Sequence, residues 1–260
     1  MDGDVDVAYV AALLGKPARA RMLLALVDGR AQPASRLAQE AGVAASTASE
    51  HLSRLVKARL LTVQSWGRHR YYRLAGPQVA SAVETLARLA PVPAVRSLRG
   101  SERLTCLRVV RTCYDHLAGR AGVALMAAWL REGILTGGDG CFHPETVRGD
   151  RLCAPGRDLD YRVTTQGERR LRAFGVDSRP GGRPLTVRYC VDWSEQRHHL
   201  AGGLGAALLS RLLELDWLRR APQGRALTVT ADGRRGLDAV FGVRDGLILG
   251  PEGTQRREES

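Results

Sequence analysis

Two thiols and two imidazoles recur in matching surroundings. Cys113-Tyr114-Asp115 leads to His116, and Cys190-Val191-Asp192 leads, a few residues on, to His199. Such a donor set suits a tetrahedral zinc-like ion, and the thiols alone can respond to oxidants or electrophiles. The surroundings match because the chain repeats itself. HLAGRAGVALM at 116–126 returns as HLAGGLGAALL at 199–209, and YRVTTQGERRLRAFGV from 161 returns as ALTVTADGRRGLDAVFGV from 226.

The repeat reads as an internal duplication with copies at about 106–177 and 186–245. Each copy is expected to run as a long helix, a hairpin and a closing helix, half of a winged helix. On a helix, Cys113 and His116 share a face. Gly119, Gly122, Gly202 and Gly205 would let two helix backbones approach about a pseudo-twofold axis, bringing His116 and His199 to equivalent positions. The competing expectation is that the cysteines are small core residues and the histidines hydrogen-bond within a buried helix pair. His198, next in line, is expected to be exposed. A loop in the first copy adds Cys141, His143 and Cys153 as weaker metal candidates, since no paired Cys-x-x-Cys holds them. The cofactor is unassigned beyond zinc or another transition metal.

The elements ahead of the repeat follow a helical grammar. Residues 5–14 are a short apolar helix, and Pro17 opens a second with Met22, Leu23, Leu26 and Val27 on its core face. Ser35 is expected to cap a third helix that ends at Gly42. In the fourth, Ala48, Leu52, Leu55 and Val56 form one apolar face, opposite a polar one of Ser46, Thr47, Glu50, His51, Arg54 and Lys57. LLTVQSWGRHRYYRL then reads as a β-hairpin. Helix, tight turn, helix and hairpin make a winged helix-turn-helix. Ser46, Thr47, Ser49, Glu50 and His51 fall on the turns that reach base edges, while Arg54 and Lys57 meet the phosphate backbone. Arg68, His69 and Arg70 flank the hairpin turn, placed for phosphate or the minor groove.

The string LAQEAGVAASTASEHLSRLVKARLLTVQSWGRHRYYRL, with LGKPARARMLLAL before it, resembles the ArsR/SmtB-type winged-helix regulators. The resemblance spans about the first third of the chain. It implies a homodimer placing one recognition helix per subunit in successive major grooves, with dimer contacts through the helices at 5–14 and 77–89. It also implies departures: Ala44-Ala45 stands where the family often has Ser-Gln, and Glu50 where many members have a basic residue. The helix before the turn carries no thiol or imidazole, and residues 77–89 contain neither Asp nor His. Both of the family's usual metal-sensing sites are therefore missing, and sensing falls to the rest of the chain.

Composition bounds the remaining classes. The 260 residues are 44% hydrophobic with a formal charge of +12, enough for two domains and an attraction to phosphates. From Arg54 to Arg73 there are six basic residues and no acid. An acidic N-terminus and the lack of a long apolar run predict a cytoplasmic protein without membrane contact. No nucleotide-binding glycine loop or oxyanion element is evident, so catalysis is not expected. The expected fold is mainly α with small β-hairpins, an α+β chain. It comprises a winged helix at 1–90, a linker at 91–100, two degenerate winged-helix-like repeats at 101–250 and a disordered tail at 251–260. The expected function is a homodimeric DNA-binding repressor released by an effector. An architectural or protein-interaction DNA-binding factor is the alternative.

Overall fold

The computed structural model describes residues 5–66, 69–91, 98–143, 159–221 and 224–249. Arg68, Cys153 and the tail at 251–260 lie outside the described residues. The chain divides into two compact units, Met1–Leu89 and Ala90–Ser260.

In the first unit, α1 (Val7–Leu14) is capped by Asp6, whose side chain accepts from the Tyr9 N–H at 2.9 Å. Pro17 starts α2 (Pro17–Ala25). The strand β1 (Gln32–Pro33) leads into α3 (Ala34–Ala41), so Pro33 occupies the cap position and Ser35 falls inside the first turn, where it makes no capping bond. Left-handed Gly42 (φ 68°) ends α3, and the Val43 N–H returns to the Ala38 carbonyl. That turn delivers α4 (Ala45–Lys57), which seats Ala48, Leu52 and Leu55 in the core with Met22, Leu23, Leu26 and Leu37. The wing is β2 (Leu61–Trp66) paired with β3 (His69–Leu74), with β1 on the other edge of β3. Helix α5 (Pro77–Leu89) closes the unit.

The second unit starts with α6 (Leu98–Val109), so the last three residues of the expected linker are helical. The hairpin β4 (Arg111–Cys113) and β5 (His116–Ala118) then precedes α7 (Arg120–Arg131), the short pair β6 (Leu135–Thr136) and β7 (Arg162–Val163), and α8 (Thr165–Ala173). The same order follows in β8 (Arg188–Val191), β9 (His198–Ala201), α9 (Gly202–Glu214), β10 (Leu218–Arg220), β11 (Leu227–Val229) and α10 (Ala231–Phe241). A short α11 (Asp245–Leu249) ends the described chain. Even the caps repeat: Thr164 Oγ1 accepts from the Gly167 N–H, and Thr230 Oγ1 from the Gly233 N–H, both at 2.9 Å.

This order corrects the helix-first reading. Cys113 and His116 are cross-strand partners on either side of a two-residue turn, in which Tyr114 takes a left-handed φ of 59°. Cys190 and His199 pair in the same way across β8 and β9. Nor do the two long helices simply pack on each other, because α7 lies against β9 and α9 against β5. The repeated glycines allow this crossing. A Cβ on Gly122 would stand 2.6 Å from the Leu117 carbonyl oxygen and 3.4 Å from His199 Cβ, and one on Gly205 would stand 2.8 Å from the Leu200 oxygen and 3.0 Å from His116 Cβ. Below this crossing, the Phe241 ring packs on Trp129 at 5.5 Å and on Phe174 at 4.9 Å. No helix among the described residues is long and apolar enough to cross a membrane.

Because a backbone carbonyl cannot yield as a side-chain end can, Gly205→Ala is expected to cost about 1–3 kcal/mol. Denaturant unfolding checks this. A loss below about 0.5 kcal/mol, the range of neutral surface changes, would contradict the close approach.

Candidate nucleic-acid interface and candidate metal centre

The period of α4 separates its two faces. With Ala48, Leu52 and Leu55 buried, Ser46, Thr47, Ser49, Glu50, Arg54 and Lys57 are exposed, and His51 is half-buried. Arg54 Nη2 donates to Glu50 Oε1 at 2.5 Å, one turn away. An exposed pair of this kind is worth about 0–1 kcal/mol, so Arg54 can leave it for a phosphate at little cost. His69 and Arg70 are exposed on the wing. Beside them Trp66 is 82% exposed, a large apolar side chain that the sequence reading passed over although it adjoins the hairpin turn.

In the second unit the two hairpins bring Cys113, His116, Cys190 and His199 together: one ligand atom from each lies within 4.8 Å of all the others. Among these, Cys113, His116 and His199 are buried and Cys190 is half-buried. The imidazole centroids are 5.2 Å apart. Each ring has a carboxylate beside its Nδ1, Asp115 at 3.0 Å from His116 and Asp192 at 3.4 Å from His199, the latter outside hydrogen-bonding alignment. Among the described residues, His116 Nε2 and both nitrogens of His199 are buried without a hydrogen-bond partner. Such atoms cost about 1–3 kcal/mol each when nothing satisfies them. Burial works against an imidazolium at His116, but its electrostatic interactions and hydrogen bonds with Cys113 and Asp115 outweigh that and raise the pKa to about 9.

Asp192 ties the site to its frame. Its Oδ2 accepts from Arg111 Nη2 at 2.8 Å and from the Gly119 N–H at 2.7 Å, at the start of α7. Its Oδ1 accepts from the Ser194 N–H at 2.9 Å and from Ser194 Oγ at 2.7 Å. Arg111 and Asp192 are both fully buried, and the guanidinium lies 4.6 Å from the Trp193 ring centroid. Burial pushes the carboxyl up, but the Arg111 and His199 charges and these hydrogen bonds prevail and hold it well below the usual carboxylate range. The sequence reading noted Asp192 only as part of the repeated pattern and passed over Arg111. The signals were an arginine in the apolar context of Val109-Val110-Arg111, and the Cys-x-Asp common to both copies.

His198 departs from expectation. In a strand, adjacent side chains point to opposite faces. While His199 faces the cluster, His198 is buried on the other side, with its Nδ1 2.9 Å from the Tyr161 hydroxyl and its ring 4.0 Å from that of Tyr189. Among the described residues, Cys141 and His143 form a second group with Asp139. That group is largely exposed, and His143 Nε2 already engages Asp139 Oδ2 at 2.7 Å.

Comparison with known proteins identifies the family. Residues 14–64 match the helix-turn-helix domain family. Over 241 residues the chain is 38% identical to the HTH-type transcriptional regulator YdfF of Bacillus subtilis (strain 168), an alignment covering 92% of this chain and 98% of that protein. Two solved structures align with about a third of the chain. The AntR antimony-specific transcriptional repressor is 28% identical over 34% of this chain and 86% of its own, with a TM-score of 0.29. The cadmium metal-sensor CMTR from Mycobacterium tuberculosis is 32% identical over 35% and 94%, also with a TM-score of 0.29. The chain belongs to the family of HTH-type transcriptional regulators that includes YdfF, and it is a DNA-binding regulator with a winged helix in its N-terminal third, not an enzyme.

Removing one partner of a buried ion pair leaves the other uncompensated, so Asp192→Ala is expected to cost about 3–5 kcal/mol. Because the folded pKa of Asp192 is depressed, its contribution is complete above the unfolded value of about 3.9 and is lost as pH falls below it. The gap in unfolding free energy between wild type and Asp192→Asn should therefore narrow on acidification below about pH 4. A gap that stays constant or widens would contradict the assignment.

Proposed function

We propose that the protein is a homodimeric, cytoplasmic repressor that binds a near-palindromic operator and leaves it when an effector acts on the second unit. The observation that carries this reading is the joint exposure of the polar α4 face and the basic wing, next to a stretch of sequence without acids. Ser46, Thr47, Ser49, Glu50 and His51 read bases, Arg54 and Lys57 hold phosphate, and Arg68, His69 and Arg70 engage the backbone or minor groove from the wing. The second unit works as two degenerate winged-helix-like copies of one duplicated segment, a reading supported by the repeated element order and the repeated threonine caps. These copies do not read DNA, because their long helices α7 and α9 bury most of their surface.

Dimerisation uses α1 and α5. Val7, Tyr9 and Val10 on α1 and Leu86 and Leu89 on α5 are exposed, and covering such apolar surface stabilises an interface. Release follows if the effector favours a dimer arrangement that no longer matches the spacing of successive major grooves, since equal affinity for both arrangements shifts nothing.

Two outcomes test this. Arg54→Ala and Arg70→Ala should each weaken binding to DNA from the protein's own upstream region and lower the slope of log K against log salt by about 0.9. Unchanged affinity and slope in a salt titration would remove these residues from the interface. Leu86→Glu should give a monomer in sedimentation velocity and weaken operator binding at least tenfold. A dimer of wild-type strength would place the interface elsewhere.

A further inference from the structure

We propose that Cys113, His116, Cys190 and His199 bind one tetrahedrally coordinated, thiophilic d10 cation of the Zn2+ class, which clamps the β4–β5 hairpin to the β8–β9 hairpin. The proposal rests on the reading of the second unit as the effector-receiving part and deepens it by naming the ligand chemistry.

Each hairpin supplies one Cys-His pair from directly opposed positions, so both donors of a pair leave the same face of their hairpin. Two thiolates with two imidazoles are the donor set of closed zinc sites, whereas Ca2+ and Mg2+ require oxygen ligands. Four protein donors leave no open position, so the site holds an ion without offering it to a substrate. Asp115, hydrogen-bonded to Nδ1 of His116, supplies the outer support that fixes ring orientation and basicity in metal-bound histidines, and the Asp192 carboxylate lies 3.4 Å from Nδ1 of His199 without a hydrogen bond. Taking the ion at Nε2 leaves Nδ1 of each ring to its neighbouring carboxylate, and among the described residues both Nε2 atoms are buried without a hydrogen-bond partner.

A disulfide between Cys113 and Cys190 would use the sulfurs and leave two orphaned imidazoles in place, whereas a metal ion satisfies all four groups. With metal–sulfur near 2.3 Å and metal–nitrogen near 2.0–2.1 Å, a tetrahedron has edges of about 3.3–3.8 Å. The donor atoms lie within 4.8 Å of one another. Loading therefore contracts the donor set by up to about 1.0–1.5 Å at its longest edge. The crossed packing of α7 on β9 and α9 on β5 spreads that movement over both halves of the unit.

The test uses the full-length protein, reduced and stripped of metal. Equilibration with Zn2+ followed by elemental analysis should give one ion per chain. Co2+ in its place should give the intense visible bands of tetrahedral coordination with a thiolate charge-transfer band in the near ultraviolet. Cys113→Ser and Cys190→Ser should each weaken Zn2+ binding at least a hundredfold, with far-ultraviolet circular dichroism confirming that the chains fold. If a variant fails to fold, His199→Gln provides the second check, and it should lose affinity while both thiols remain.

Failure of the folded, reduced wild type to retain Zn2+, a Co2+ spectrum of octahedral type, or full affinity in the folded variants would overturn the proposal. Operator affinity measured with and without one equivalent of Zn2+ tests the other reading separately. A change of tenfold or more supports an effector role. Full loading with unchanged operator affinity would leave the clamp standing and overturn release through this site.

Discussion

The Asp192 carboxylate is tolerable out of water only because donors from different parts of the second unit converge on it. Arg111 comes from the first hairpin, the Gly119 N–H from the start of α7, and the Ser194 N–H and hydroxyl from the turn after β8. One buried charge thus fixes the first hairpin and the start of α7 against the second hairpin, and none of these partners can move without leaving it exposed to a low dielectric. The same carboxylate stands 3.4 Å from His199 Nδ1, so the interaction that joins the two hairpins also borders the candidate site.

Around that tie the unit is built by exchange. Each long helix rests on the hairpin of the other copy, and its glycine admits the opposite histidine's Cβ. This explains the near-identity of HLAGRAG and HLAGGLG. The histidine belongs to the centre, Leu-Ala finishes the strand, and the glycines let a helix start and run across a neighbour at close range. Two segments of matching element order that pair in this way bring one cysteine and one histidine each to a shared point. A site on such an axis can couple both halves to a single event.

Much of the first unit was legible in the sequence because its helices are long enough for a period of 3.6 to show. Ala48, Leu52 and Leu55 follow that period, and α5 falls at 77–89 as read. Ser35 misled because Pro33, with its fixed φ, had already taken the cap position. In the second unit the recurring stretches of sequence and all four candidate donors were visible, but their setting was not. Strands of three or four residues show little alternation, and a spacing of three fits a helix face as well as a two-residue hairpin turn. Reading β9 as helix also sent His198 to the surface, whereas strand alternation buries it against Tyr161 and Tyr189. Arg111 and Asp192 lie far apart in sequence, so nothing local announced their pairing.

The central claim is that the two copies meet at one ion held by two sulfurs and two nitrogens. Extended X-ray absorption fine structure of the full-length protein loaded with one equivalent of Zn2+ tests it most directly. The account predicts two sulfur neighbours at about 2.3 Å and two nitrogen neighbours at about 2.0–2.1 Å with imidazole multiple scattering. A first shell of nitrogen and oxygen alone would contradict it.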